Sequence, residues 1–511
     1  MPSSNPLFDF LTQSYAKISN LDRAQVVDFV VNAPQHYTIW WKSLLKDAPE
    51  HIVIETFLVL FIIWLMFIRR TVDPNKASKN QKLSKQEEQW LMDTWEPEPL
   101  GFAPATEKEG VLHDSIMVID SVNGNYLKIR GVAEAVLNVA SYDFLGMSQE
   151  SAVKASAKKA LEFYGCGSCG PRGFYGTIDL HLNFEAAVAK FMGVEEAISY
   201  SDGASAVSSV IPAFAKKGDL LLVDEAVSEP VLCGLNLSRA TVQFFKHNDM
   251  EDLRVILESI SADDKRLKRD TSQQRRFIVV EGLYRNTGDI CPLLQLLALK
   301  EKHCYRIILD ESLSFGVIGA TGRGVTEYFG VSINTVEIVV LAMDAALASV
   351  GGVCIGKQDI CDHQRLSGAG YCFSASAPPF LSACAITALA LMEAEPERLE
   401  KLHACARYLH TVLRSVKGVA MKVDYHMPTP VVHLVLKQPL DCLQKEATTI
   451  LRIARCCVEG GVGITASKFS MSQPASYNRP SLTLNASTKM TEAEMDKIGA
   501  VLAKAVKQCT A

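Results

Sequence analysis

At 511 residues the chain is longer than one hydrophobic core fills, so two or three structural units are expected. Hydrophobic residues make up 48% of it and charged residues 21%, ample material for a core, and a net charge of −5 gives no reason to expect nucleic acid as a partner. The 14 cysteines show no repeated CxxC spacing, which argues against a metal site and reads as reduced intracellular thiols. The first fifty residues carry Tyr37, Trp40, Trp41, Leu44 and Leu45 among charges. That suits a helix lying at a membrane surface, or equally a solvated helix packed on the protein. Residues 52–68 read IVIETFLVLFIIWLMFI, with Arg69 and Arg70 directly after. As a helix they reach roughly 25 Å, at the short end for a bilayer. The run starts too late for a signal peptide and is apolar all round, which favours a transmembrane helix over a buried soluble one. Arg69, Arg70, Lys76, Lys79, Lys82 and Lys85 follow it, against Lys42 and Lys46 before it. The positive-inside rule then puts residues 1–51 on the lumenal or interfacial side and everything after the span in the cytosol.

Residues 69–100 form a polar linker in which Ser84-Lys85-Gln86-Glu87 predicts a capped short helix, ended by Trp95-Glu96-Pro97-Glu98-Pro99. A globular domain is expected from about Gly101. Apolar β-branched runs at Leu220–Val223, Phe277–Val280, Arg306–Leu309 and Glu337–Leu341 alternate there with helix-like stretches. That rhythm predicts an α/β fold with a largely parallel sheet over 101–397. Residues 398–511 read as a smaller α+β unit, with a helix at 398–416 and a strand at Val431–Leu436. Between these elements lie several strings rich in glycine and acids. They are Ser141-Tyr142-Asp143-Phe144-Leu145-Gly146, Tyr164 through Thr177 (YGCGSCGPRGFYGT), His181 with Glu185, and Phe245-Lys246-His247-Asn248-Asp249. Further on come Glu281-Gly282-Leu283-Tyr284, Leu309 through Gly319 (LDESLSFGVIG), Ala342 through Gly352 (AMDAALASVGG), and Phe373-Ser374-Ala375-Ser376-Ala377-Pro378-Pro379.

In this order and spacing, from about Ser141 to Thr491, the strings resemble the α-oxoamine synthases. Within that family the chain looks most like the lysine-less first long-chain-base subunits of eukaryotic serine palmitoyltransferase. The resemblance implies a fold-type I, aminotransferase-like transferase that uses pyridoxal phosphate (PLP). It also implies two roles: Asp310 would hold the pyridinium nitrogen, and the residue at position 345 would be the Schiff-base lysine. Position 345 is alanine. Other family positions differ as well. Leu313 replaces the histidine for the cofactor's phenolic oxygen, Ala342 a Ser/Thr phosphate ligand, and Asp344 a small uncharged residue. Asp224-Glu225-Ala226-Val227-Ser228 lacks an Asn-His pair, Gly203-Ala204 lacks a stacking group, and Thr483 stands where a carboxylate-clamping arginine is usual.

What the resemblance leaves to this chain is shape and partnership. Dimers of this fold build active sites at the subunit interface, so Cys169, Arg172, Tyr175 and Gly176 of the glycine-rich segment, with Ser349 of the 348–352 loop, would complete a partner's site. Arg172 has two readings, recognition of a carboxylate or phosphate, or a tie from the loop to an acid such as Glu185. His181 reads as a packing residue, Cys166 and Cys169 as packed thiols, and His247-Asn248-Asp249 as a turn with Asn or Asp as N-cap. Pro378-Pro379 should set a turn before a helix. The implied partners are a lysine-bearing catalytic subunit that holds PLP covalently, small activating membrane subunits, Orm-type regulators and membrane lipid, in the endoplasmic reticulum. No PLP is expected covalently on this chain. Two rival readings remain. One is a self-sufficient synthase using Lys302 or Lys357, neither on a suitable loop; the other is a pure membrane anchor and regulatory scaffold.

Overall fold

The computed structural model of the protein describes residues 57–65, 84–95, 117–168, 170–467 and 479–510. Two compact units divide the chain, Met1–Ala105 and Thr106–Ala511. In the first, residues 57–65 are helical and exposed along their whole length, Phe57, Phe61 and Trp64 included. The rest of the apolar run 52–68, the aromatic segment before it and the linker lysines up to Lys82 lie outside the described residues. Among the described residues no helix is long and apolar enough to cross a membrane. Lys85–Thr94 forms the short helix its capping box specifies. The Ser84 hydroxyl accepts from Glu87 N, the Glu87 carboxylate accepts from Ser84 N, and Trp95 is already extended.

The second unit is built on a seven-stranded sheet. Its strands are β4 (Glu196–Tyr200), β5 (Leu220–Asp224), β6 (Thr241–Phe245), β7 (Arg276–Glu281), β8 (Arg306–Asp310), β9 (Ile338–Ala342) and β10 (Gly352–Gly356). They lie in the order β4-β10-β9-β8-β7-β5-β6. Only β10 runs against its neighbours; β9, β8, β7, β5 and β6 are successively parallel. β5 and β9 are buried at every residue, the pattern of parallel strands covered on both faces. Helices such as Gly203–Phe214, Glu229–Ser238 and Pro379–Ala394 supply the cover. The last of these begins at the second residue of Pro378-Pro379, as the sequence predicts.

A second core lies between the helices Glu397–Arg414, Leu443–Glu459 and Glu492–Thr510 and a four-stranded sheet. That sheet has the order β11-β12-β15-β14, from Val419–Met421, Val431–Leu436, Leu482–Asn485 and Thr465–Ala466. Strands β1 (Ile119–Asn123), β2 (Tyr126–Ile129) and β3 (Val136–Asn138) come first in the globular unit, yet β3 pairs with β13 (Val462–Gly463). Leu137 and Val139 are buried in this C-terminal core and not under the large sheet.

Candidate functional site at the strand ends

Parallel strands bring their carboxyl ends to one edge, and the crevice outside that edge is where open α/β sheets hold ligands. Here the edge is acidic. Asp224 closes β5, Glu281 closes β7 and Asp310 closes β8, while Asp202 follows β4 and Asp344 follows β9. Glu281 and Asp310 are register partners on adjacent strands, which sets their backbones about 4.8 Å apart. Both are buried. Burial, and then the Asp310 charge, hold the Glu281 carboxyl above its ordinary range. Burial raises Asp310 too, against a 2.9 Å hydrogen bond donated by the Ser312 amide. Glu281 is fixed by the backbone amides of Ser228 and Arg285, the latter at 2.9 Å.

Arg285 lies four residues after Glu281. Its guanidinium carbon lies 4.9 Å from the centroid of the Tyr142 ring; burial opposes its charge, but Tyr142 and the acids Glu281, Asp344 and Asp310 raise its pKa. Its carbonyl accepts from His433 Nε2 at 2.9 Å. Burial pushes His433 down to about 3, so the ring is neutral and Nδ1 accepts from Ser481 Oγ at 3.0 Å. Thr483 Oγ1 is 3.3 Å from the same nitrogen. The place the resemblance gives to a carboxylate-clamping arginine is thus tied through His433 to the backbone of Arg285. Sequence reasoning missed Arg285, although it directly follows the Glu281–Tyr284 string.

A PLP held through a Schiff base does not fit these residues. Ala345 offers a methyl group where an amine is required, and it is fully buried. Its neighbour Ala346 presses so closely on Gly316 that no Cβ could be added there. A phosphate would meet two further obstacles. The helix Gly203–Phe214 starts beside Ala342, and helix N-termini attract anions. Asp202 already caps this one, its carboxylate accepting from Ser205 N at 2.8 Å and from the Ser205 hydroxyl. Asp344 stands exposed at the same edge and adds negative charge. Leu313 is buried in the core. Lys302 is paired with Glu258 of the helix Met250–Leu267, and Lys357 directly precedes the helix Gln358–Ser367, so neither stands at the position of the missing amine.

The glycine-rich loop is held from inside the chain. Arg172 is 8% exposed. Nη1 and Nη2 meet the two Glu185 oxygens at 2.8 and 3.0 Å, Nη1 also meets Ser199 Oγ at 2.6 Å, and Nε meets Thr177 Oγ1 at 3.0 Å. Four of the five guanidinium N–H groups are therefore used, and Tyr371 lies 5.5 Å away on the ring face. Of the two readings of Arg172, the tie to Glu185 is the one realised in this chain. Gly176 follows from the same geometry, because a Cβ would overlap the carbonyl oxygens of Gly170 and Pro171. Tyr175 adopts φ 63°, uncommon for a residue with a side chain, and is 96% exposed. Phe174 and Phe373 are exposed nearby, where Ser376 N bonds to Gly170 O at 2.9 Å. Cys169 lies outside the described residues. Cys166 is exposed, which corrects its reading as a packed thiol: Gly165, at φ 79°, turns the chain away from the core at the end of Ser151–Tyr164.

The remaining residues have internal roles. Ser349 donates to Leu381 O at 2.8 Å and anchors the 348–352 loop. His181 is buried, accepts from Ile178 N at 3.1 Å and donates to Ala377 O at 2.7 Å, a packing role. Asp249 caps the helix Met250–Leu267 as expected. His247 does more than turn the chain: its two nitrogens lie 2.9 Å from Asp224 and 3.0 Å from Asp289. Among the described residues no group of His, Cys, Asp and Glu could hold a metal ion.

The aminotransferase class I and II family model matches residues 134–498. Long chain base biosynthesis protein 1 of Arabidopsis thaliana is 41% identical over 84% of this chain and 88% of its own length. Serine palmitoyltransferase 1 of Dictyostelium discoideum is 35% identical over 91% and 95%. Among solved structures, the serine palmitoyltransferase of Sphingomonas wittichii aligns with a TM-score of 0.69 and 27% identity, over 79% of this chain and 96% of that one. An SPT solved with its PLP internal aldimine also scores 0.69, at 26% identity over the same shares.

Proposed function

The chain belongs to the aminotransferase class I and II family and, within it, to the long chain base biosynthesis protein 1 and serine palmitoyltransferase 1 proteins, and from that premise we propose that it is the non-catalytic but required subunit of a serine palmitoyltransferase. The complex condenses L-serine with palmitoyl-CoA, releases CO2 and yields 3-ketodihydrosphingosine, the first step of sphingolipid synthesis. The observation that carries the non-catalytic part is Ala345, a buried methyl group three residues after β9 in an otherwise complete fold. The lysine and its covalently held PLP then belong to a catalytic partner, where the cofactor supplies the electron sink for bond making at serine Cα.

This chain's own contribution is a shaped surface. Arg172 and Glu185 fix the loop from within, and the exposure of Tyr175 and Phe174 on it supports their use as a contact for the partner. Ser349 holds the second loop against Leu381. The exposed apolar helix at 57–65, inside the run 52–68 with its basic flank, supports a single membrane span with the large unit in the cytosol of the endoplasmic reticulum. Small activating subunits and Orm-type regulators would bind along that span. A second reading, a pure anchor and scaffold, draws support from Arg172, whose hydrogen bonds are spent inside the chain.

The test is serine–palmitoyl-CoA condensation in membranes expressing this chain alone, a lysine-bearing partner alone, and both. Activity only in the pair is the expected outcome. Activity from this chain alone would refute the reading of Ala345, and full activity from the partner alone would refute the requirement. Tyr175→Ala in the assembled pair separates the two readings, since an anchor tolerates it and an interface loop does not.

A further inference from the structure

We propose that Cys456 and Cys509 form a reversible disulfide that locks the helix Glu492–Thr510 onto the helix Leu443–Glu459 when the thiol pool around the protein is oxidised.

Helix packing brings the two thiols together. Ile453, Cys456 and Cys457 share one face of the first helix, and Cys509 continues the face of Leu502, Ala505 and Val506 on the second, at helical spacing. Those faces meet in the C-terminal core, with Cys456 and Cys509 both at its partly buried margin. The approach is close: a Cβ on Gly460 would lie 2.7 Å from Val501 Cγ1, and one on Gly499 would lie 2.5 Å from Val412 Cγ1. Cys456 Sγ and Cys509 Sγ are 3.7 Å apart. A disulfide needs about 2 Å, a difference small enough for side-chain rotation to close.

Other thiols are placed differently. Cys361 Sγ donates to the Cys354 carbonyl, and Cys354 Sγ accepts from Gln364 at 3.2 Å, both fully buried in the large unit. Cys457 is also fully buried. Cys456 and Cys509 are each partly exposed, so a small disulfide such as oxidised glutathione can reach them. One thiolate attacks it, forming a mixed disulfide and releasing one reduced thiol. The second cysteine then attacks the protein sulfur of the mixed disulfide and expels the other. Two protein thiols become one bond, and their two electrons and two protons leave with the two reduced thiols. Burial and the hydrogen bond to Cys456 hold the Cys509 thiol above its ordinary range. Little of it is thiolate at neutral pH, so the exchange is slow and follows the standing redox poise.

The bond has a structural consequence. The first half of Glu492–Thr510 is already held by Tyr408, which donates to Asp496 at 3.0 Å. A bond at Cys509 fixes the other end, and by joining residues 53 positions apart it restricts the unfolded chain as well. The helix Leu443–Glu459 leads into β13, the partner of β3, so the bond braces the core that β3 joins.

The experiment uses the complete complex with its lysine-bearing partner, fully reduced and then equilibrated with glutathione and glutathione disulfide from reducing to oxidising ratios. At oxidising ratios a peptide map of this chain, alkylated under denaturing conditions, should show Cys456 joined to Cys509, and dithiothreitol should restore both thiols. Amide exchange in the last two turns of Glu492–Thr510 should slow on oxidation and recover on reduction. Cys456→Ser and Cys509→Ser should each abolish that dependence; if either does not accumulate, the alanine variant takes its place, and the peptide map of the parent decides by itself whether the bond forms. Both thiols free at the most oxidising ratio, glutathione adducts on them without the bond, or a bond to Cys457 instead would each overturn the proposal. So would exchange indifferent to the bond, or a redox dependence that survives in the variants.

Discussion

Arg172→Ala tests whether the glycine-rich loop is fixed from within the chain. Side-chain exposure is 6% for Arg172 and 9% for Glu185, so the substitution leaves a buried carboxylate without its cation. Breaking a buried pair in this way costs about 3–5 kcal/mol. Ser199 softens the loss, because its amide and hydroxyl still donate to Glu185 at 2.7 and 2.8 Å. The lower end, about 3 kcal/mol, is therefore expected, roughly a hundredfold in the opening equilibrium of the loop. Amide hydrogen exchange on the purified complex reads this directly. Phe174 N and Gly176 N donate to Pro171 O at 2.9 and 3.0 Å, and Ser376 N donates to Gly170 O at 2.9 Å. Exchange at these three amides should rise about a hundredfold while amides of β7 keep their protection. The paired variant Arg172→Met with Glu185→Leu removes both charges and should recover most of the protection. Unchanged exchange in Arg172→Ala, or a pair slower to recover than the single variant, would refute the argument.

Two further outcomes follow from the same structure. Gly176→Ala should displace the loop, since its Cβ overlaps two carbonyl oxygens; overpacking of this kind costs about 1–3 kcal/mol, and unaltered exchange and assembly with the partner would contradict it. Burial opposes the charge of His247, but the hydrogen bonds it donates to Asp224 and Asp289 outweigh it and raise the imidazole to about 10. An unfolded histidine titrates near 6.5, so the folded pKa is the higher one. The stabilisation is full below about pH 6.5 and is lost as pH rises through about 10. The melting temperature should therefore fall from pH 7 to 10, and His247→Gln should flatten that slope; an identical slope in the variant would exclude the clamp as its cause.

Much of this protein was legible in the linear sequence because it depends on near neighbours. The runs at Leu220–Val223 and Phe277–Val280 are strands because strands buried on both faces need uninterrupted apolar residues. The Ser84–Glu87 box and Asp249 cap their helices because the donors they satisfy lie two or three residues away. Ala345 could be read for the same reason: its place is counted from the Gly351-Gly352 pair beside it. Other features were settled only by the fold. Arg172 had two readings until the loop was laid on the helix carrying Glu185 and the strand carrying Ser199. Strand β3 pairs with β13, and its Leu137 joins a core built from residues beyond 400, which no local pattern announces. Arg285 meets the Tyr142 ring, and its carbonyl meets His433, only once separate segments are brought together. Periodicity and capping are set by sterics over a few residues, whereas charge compensation acts through space, and the chain must fold before it is known which charges face each other.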